Sequence, residues 1–227
     1  NQLLGSQNDM ATIRLEKSVL FESVLCGLDV VLKNEYAGCD DGISLTFEKA
    51  NFGSAMDNAT TSRILHALIA LPQGVQAMNA NFPGLVQTSL NLGVMRMEED
   101  GLHFALSIRS CIDSQKLMIL QRIHAIMELA GGTVRENGAY PGWQYKQNSI
   151  LCERVMDAYR TVSKKEGIIS ATHGGLECGL FIEKKPGLDA VSIGPELHDV
   201  HSVNERLNVA STKRTYALLC EILRRCK

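Results

Sequence analysis

From Met10 to Asn34 the apolar residues Ile13, Val19, Leu20, Val24, Leu28 and Val31 recur close to every 3.6 positions, which predicts a helix. The Gly38, Asp40, Asp41, Gly42 cluster is a turn signal, and Ile43 to Phe47 then alternates as a short half-buried strand. Asn51 to Thr61 is rich in Asn, Gly, Ser and Thr and reads as a loop. Thr61 or Ser62 can cap a helix to Leu71, which Pro72 ends. Thr88 to Met97 predicts a strand, Glu98 to Gly101 a tight polar turn, and His103 to Cys111 the returning strand of a hairpin. Asp113 or Ser114 caps a helix carrying Leu117, Leu120, Ile123, Ile126, Met127 and Ala130, which Gly131-Gly132 stops. Thr133 to Glu136 fits one more strand.

After residue 40 this order is β-α-β-β-α-β, the split-βαβ or ferredoxin-like arrangement of an antiparallel sheet with helices on one face. The Gly/Pro cluster Gly138-Ala139-Tyr140-Pro141-Gly142-Trp143 marks a boundary, giving units 1–142 and 143–227. Beyond it the pattern changes. Ser149 to Ser163 predicts a helix, Gly167 to Ala171 a short apolar strand, Leu176 to Ile182 a short helix, Leu188 to Ile193 a mostly buried strand, and Ser211 to Arg225 the last helix. Alternating α and β segments call for parallel strands. Two strands are too few for an independent α/β domain. The second half therefore reads as the closing piece of a larger domain, and the lack of an initiating Met fits a processed piece.

Composition narrows the class. The 227 residues are 45% hydrophobic and 21% charged with a net charge of -2, so the chain can bury a core and carries no basic excess for nucleic acid. No run approaches ~20 apolar residues, so no membrane helix is expected. Asn1 to Gly5 lack the charged and apolar regions of a signal peptide. Seven scattered cysteines without C-x-x-C pairs argue for reduced thiols in a cytoplasmic protein, not a disulfide framework or zinc ribbon.

Three segments carry candidate chemistry. In Ser192 to Glu205, a buried strand runs into a Gly194-Pro195 turn followed by His198 and His201. Active sites of α/β sheets lie at the carboxyl ends of strands, and a neutral imidazole ligates zinc. Glu205 can orient this loop; a polar surface loop with ordinary histidines is the other reading. In Thr172 to Gly179, glycines follow a strand and open a helix, so backbone can approach a substrate or anion. There Glu177 is either a functional acid or an ordinary acid of a first helical turn. Arg109 sits inside a strand, where a guanidinium can grip a carboxylate with two parallel hydrogen bonds or simply face solvent. Asn91 leaves the same choice. Cys111 and Cys178 are weak candidates for a thiol nucleophile, because nothing orients His173.

Together these segments resemble the aminoacyl-histidine dipeptidase family, also called Xaa-His dipeptidase or peptidase D. Five ordered blocks carry the resemblance: Gln87 to Val94, Ile108 to Ser114, Gly138 to Trp143, His173 to Leu180, and Ser192 to Glu205. It implies a cytoplasmic zinc metallopeptidase that cleaves dipeptides ending in histidine. Its α/β catalytic domain is interrupted by a smaller lid whose sheet pairs two copies into a homodimer. Residues 1–142 then correspond to the later part of the lid, and 143–227 to the C-terminal α/β segment of the catalytic domain. The resemblance implies that His201 ligates one metal and that Arg109 binds the substrate carboxylate. Gly175 offers backbone contacts, and His173 and Glu177 belong to the same substrate-binding turn. The family's His-x-Asp, bridging Asp and Glu-Glu pair have no recognisable counterpart. The chain thus lacks the general base, and zinc, two ions in the complete enzyme, binds weakly or not at all. A non-catalytic binding or dimerisation module is the alternative.

Overall fold

The computed structural model describes residues 21–46, 56–172 and 176–226. The chain divides into two compact units, residues 1–63 and 64–227, so the boundary expected at 142/143 lies inside the second. In the first unit, α1 (Phe21–Glu35) occupies the later part of the predicted helix; the earlier part lies outside the described residues. Residues 43–46 alternate in exposure as expected but form no strand. The Leu45 N–H donates instead to Asp29 on α1, at 2.8 Å, so the segment is tethered to a helix and not to a ladder. Phe47 is outside the described residues.

Helix α2 (Asn58–Ala70) starts three residues before the expected Thr61. Asp57 explains the shift: its Oδ1 accepts the Ala59 and Thr60 N–H groups at 2.8 and 2.9 Å, satisfying donors a helix start leaves free. In the second unit an antiparallel sheet runs in the order β1 (Gly74–Met78), β2 (Val86–Glu98), β3 (Gly101–Ser110). The β2–β3 hairpin matches the sequence pattern. β1 was not foreseen; it is short and pairs with β2 through register irregularities, which blur its alternation.

Helix α3 (Asp113–Leu129) packs Ile119 and Ile123 onto Leu71 and Leu90, with Phe104, Leu106 and Ile108 around them. Its cap is the backbone of Ile112, not Asp113 or Ser114. Residues 133–136 are not a strand: Val134 packs on the α3 core and Glu136 meets the His124 ring at 3.0 Å, which holds the segment to the helix.

The mixed α/β class holds, and the rest of the second unit is mainly helical. It comprises α4 (Ile150–Ser163), α5 (Glu177–Lys184), a two-residue ladder of β4 (Leu197–His198) with β5 (Arg206–Leu207), and α6 (Val209–Arg225). Ser149 caps α4 by accepting the Cys152 N–H at 2.9 Å, and Asn208 caps α6 by accepting the Ser211 N–H at 3.1 Å. Val155, Ala158 and Ile222 form the core between α4 and α6, with Val191 against it. The strands expected at 167–171 and 188–193 are absent. Both segments are apolar, but neither meets a paired neighbour, and a strand exists only through its ladder.

Candidate active-site segments

Local register explains how the first two blocks meet. Thr88 lies opposite Ser110, Ser89 opposite Arg109, and Asn91 opposite Ser107. Thr88 Oγ1 and Ser110 Oγ are 2.9 Å apart, and Thr88 Oγ1 also donates to Gln115 Oε1. Gln87 Nε2 reaches the same acceptor at 3.1 Å. Thr88 and Ser110 are buried, so their hydroxyls are satisfied inside the sheet–helix layer. This network was not foreseen; Thr88, Ser110 and Gln115 give no sequence signal until the register is known.

Arg109 faces away from the core, because Ile108 beside it packs under α3. It is exposed on the open face of the sheet, in the same row as Ser89, with Asn91 and Ser107 in the next. Among the described residues it makes no hydrogen bond or ion pair. The guanidinium therefore keeps its donors free for a ligand.

The third block locks onto the second. Gly142 N–H donates to Asp113 Oδ1 at 2.8 Å, and Lys116 Nζ reaches both Asp113 Oδ1, at 3.0 Å, and the Tyr140 carbonyl. A Cβ on Gly142 would lie 2.5 Å from the Cys111 carbonyl oxygen, so only glycine allows this crossing. Partial desolvation raises the Asp113 carboxyl, but the Gly142 N–H and Lys116 ammonium outweigh it and hold the pKa below the usual value. The fourth block joins the third: a Cβ on Gly179 would lie 2.9 Å from the Pro141 carbonyl oxygen. Desolvation, then the nearby Glu177 carboxylate and Cys178, raise the Tyr140 pKa. Blocks one to four thus form a continuous chain of contacts.

Glu177 is exposed in the first turn of α5. His173 and Gly175 lie outside the described residues. Desolvation raises the thiol pKa of both Cys111 and Cys178, with Glu177 adding to the effect at Cys178. That is the reverse of the lowered pKa of an activated nucleophile.

The fifth block runs through β4 into the loop between β4 and β5. Asp199 and His201 both adopt left-handed backbone, at φ 52° and 66°. The His201 N–H donates to Glu205 Oε2 at 2.7 Å, and the Asp199 carboxylate pairs with Arg206 at 2.7 Å. Glu205 thus orients the loop, and the exposed His201 ring has no hydrogen-bond partner among the described residues. His198 lies opposite Arg206, on the ladder beside the loop.

A catalytic zinc takes about three protein ligands. In this loop one imidazole is free, while Glu205 and Asp199 are engaged as above, so the loop offers one ligand position. Among the described residues three metal-type donors converge only at Glu98, Asp100 and His103, exposed at the hairpin tip. A His103–Asp100 ion pair of 2.7 Å, which raises the imidazole pKa, accounts for that proximity. A shallow groove of about 390 Å³ beside α4, lined by Tyr145, Cys152, Met156, Arg160 and Ile169 among others, holds none of the expected site residues.

No protein-family model matches the chain. It is 33% identical over 213 residues to a cytosol non-specific dipeptidase of Escherichia coli, covering 93% of this chain and 44% of that relative. The structure of an aminoacylhistidine dipeptidase from Vibrio alginolyticus superposes with a TM-score of 0.79 at 30% identity, over 91% of this chain and 42% of that one. The fold also matches an aminopeptidase PepT from Bacillus cereus, with a TM-score of 0.52 at 17% identity over 71% of this chain and 44% of that one. The chain therefore spans under half the length of the relatives it matches. Among the described residues no helix is long and apolar enough to cross a membrane.

Proposed function

Because the chain is a homologue of the aminoacyl-histidine dipeptidase family, matching its C-terminal portion, we propose that it is the C-terminal part of a cytoplasmic, metal-dependent dipeptidase acting on Xaa-His type dipeptides. Residues 1–142 are the later part of a lid and 143–227 the last segment of the catalytic domain. Arg109 binds the terminal carboxylate of the substrate. The turn of His173, Gly175 and Glu177 meets the substrate backbone, and His201 is one ligand of a two-zinc centre. In the complete enzyme the metals supply a polarised carbonyl and an activated water. This chain contributes the carboxylate clamp and one imidazole, so alone it is inactive. Its ligand is a dipeptide, with neither nucleic acid nor membrane as partner.

One observation supports this reading: a mid-strand arginine that has no partner among the described residues, on the sheet face opposite α3, beside Ser89, Asn91 and Ser107. A guanidinium whose donors are all unengaged can take a carboxylate through two parallel hydrogen bonds. In the complete enzyme, Arg109→Ala is expected to weaken dipeptides with a free terminal carboxylate by ~2–5 kcal/mol, as for a charged hydrogen-bonded contact. Amidated analogues are expected to change little. Equal losses on both substrates would remove Arg109 from the clamp.

The edge strand supports the rival reading of a dimerisation module. Among the described residues β3 pairs with β2 and with no other strand, so its outer edge can receive a second copy. In the enzyme reading the same edge serves a homodimer through the lid. Assays of the complete enzyme and of the chain alone separate the two.

A further inference from the structure

Resting on the reading above, we propose that Thr88, Ser110 and Gln115 form a positioning network that fixes the backbone of Arg109, so that the geometry of the carboxylate clamp depends on the Thr88 hydroxyl. Among the described residues the Arg109 guanidinium has no partner, so no contact of its own side chain sets its place. A two-bond grip on a carboxylate needs correct direction as well as distance. What orients the clamp must therefore reach it through its strand.

The network lies where that strand ends. Thr88 and Ser110 are the last facing pair of the β2–β3 ladder, and Arg109 is one residue in from it. The ends of elements open most readily. By alternation, Thr88 and Ser110 point to the same face as Leu90 and Ile108, towards α3, while Ser89 and Arg109 point away. The Ser89–Arg109 pair is thus held between two inner-face pairs. Leu90 and Ile108 supply apolar packing, which has no directional preference. Thr88 and Ser110 supply hydrogen bonds, which do.

Proton accounting gives those bonds one direction. The Thr88 hydroxyl gives its single proton to Gln115 Oε1, which also accepts from Gln87 Nε2 at 3.1 Å. Thr88 Oγ1 then accepts from Ser110 Oγ, 2.9 Å away. Ser110 Oγ in turn accepts the Ile112 N–H at 3.0 Å. The Ile112 carbonyl, 3.0 Å from Ser110 Oγ, receives the Lys116 N–H at 3.1 Å and does not need the hydroxyl proton. A chain of donors therefore runs from the start of α3, across the ends of β3 and β2, and back to α3. Thr88 is fully buried. An apolar pair of the same shape would fill this site at little cost in stability. A buried network with every member satisfied holds a single arrangement instead.

In the complete enzyme, Thr88→Val removes the hydroxyl and keeps the shape. It is expected to raise KM for dipeptides with a free terminal carboxylate about tenfold, with kcat changed less than about twofold. Amidated analogues are expected to keep their kcat/KM. Thr88→Ser, which keeps the hydroxyl, should restore KM to within about twofold. In an Arg109→Ala background Thr88→Val should add no further loss, because both changes act on one contact. The Cys111 amide donates to the Gln87 carbonyl at 3.4 Å beside the network, and its hydrogen exchange should quicken about tenfold in Thr88→Val. Should Thr88→Val fail to fold, Gln115→Met, at a half-buried position, removes the acceptor at the end of the chain and should give the same KM shift and the same faster exchange. The proposal is overturned if free and amidated substrates lose equally, if Thr88→Ser does not rescue, if the loss persists on top of Arg109→Ala, or if Cys111 exchange is unchanged. Any of these, with Arg109→Ala still selective for free carboxylates, sinks the network and keeps the clamp. Equal losses on both substrates in Arg109→Ala sink the clamp reading itself.

Discussion

The sheet with α3 and the helical layer of α4 and α6 belong to the same compact unit but complete themselves differently. In the first, every β2 residue from Thr88 to Leu92 finds a partner on β3, and one helix closes the core over Leu90 and Ile108. In the second, the helices are well capped and packed, yet the apolar segments 167–171 and 188–193 between them carry no ladder. The difference follows sequence distance. A hairpin brings its partner strand within a few residues, whereas parallel strands depend on partners far along the chain. A sequence can therefore specify the packed face of a strand without supplying its pairing.

The largest effect that sharpens this contrast is expected in the self-contained region. Leu90→Ala removes a side chain that is 2% exposed at the centre of that core, and is expected to cost ~2–5 kcal/mol in thermal or denaturant unfolding. A smaller loss would mean that the sheet core is not closed without further partners.

Next comes the joint between the regions. Gly142→Ala places a Cβ against the Cys111 backbone, which cannot give way as a flexible side chain would. A cost of ~1–3 kcal/mol is expected, with the Asp113–Gly142 bond broken. An unchanged melting temperature would show that the crossing is looser than described.

The smallest effect concerns the helical layer. Asp189 accepts from Ser149 Oγ at 2.8 Å and from the Leu151 N–H at 3.1 Å, at the start of α4. Desolvation raises its carboxyl pKa, but these donors and Lys146 outweigh that and lower it below the ordinary 3.8. A lowered carboxyl stabilises the fold above the unfolded-state value, and that contribution fades as pH falls through the lower folded one. Acid titration of wild type should therefore show a loss of stability below about pH 4. Asp189→Asn is expected to be ~1 kcal/mol less stable at neutral pH and to lack that acid step. An identical acid profile in the variant would assign the step to another carboxylate.

These regions also differ in how much was legible. The β2–β3 hairpin could be read because Glu98 to Gly101 announces the turn and the flanking residues alternate. Helices α4 and α6 were legible from Ser149 and from the apolar spacing along Ser211 to Arg225. β1 was not, because a five-residue strand with irregular pairing leaves little pattern. Residues 167–171 and 188–193 carry the side chains of strands, and the missing ladder is a property of partners, not of composition. At the candidate site, Arg109 was legible as an oddity within a strand, but its neighbours on the open face became known only through register. His201 was legible by type; that Glu205 holds its backbone was visible only as an acid four residues on.

The left-handed backbone at His201 has one more consequence. Side chains branched at Cβ resist φ near 66°, while Asn shares with His a tolerance for it. Replacing the imidazole by an amide therefore preserves the contour of the bend, whereas valine would disturb contour and chemistry together. His201→Asn is thus the exchange that isolates what the ring itself contributes.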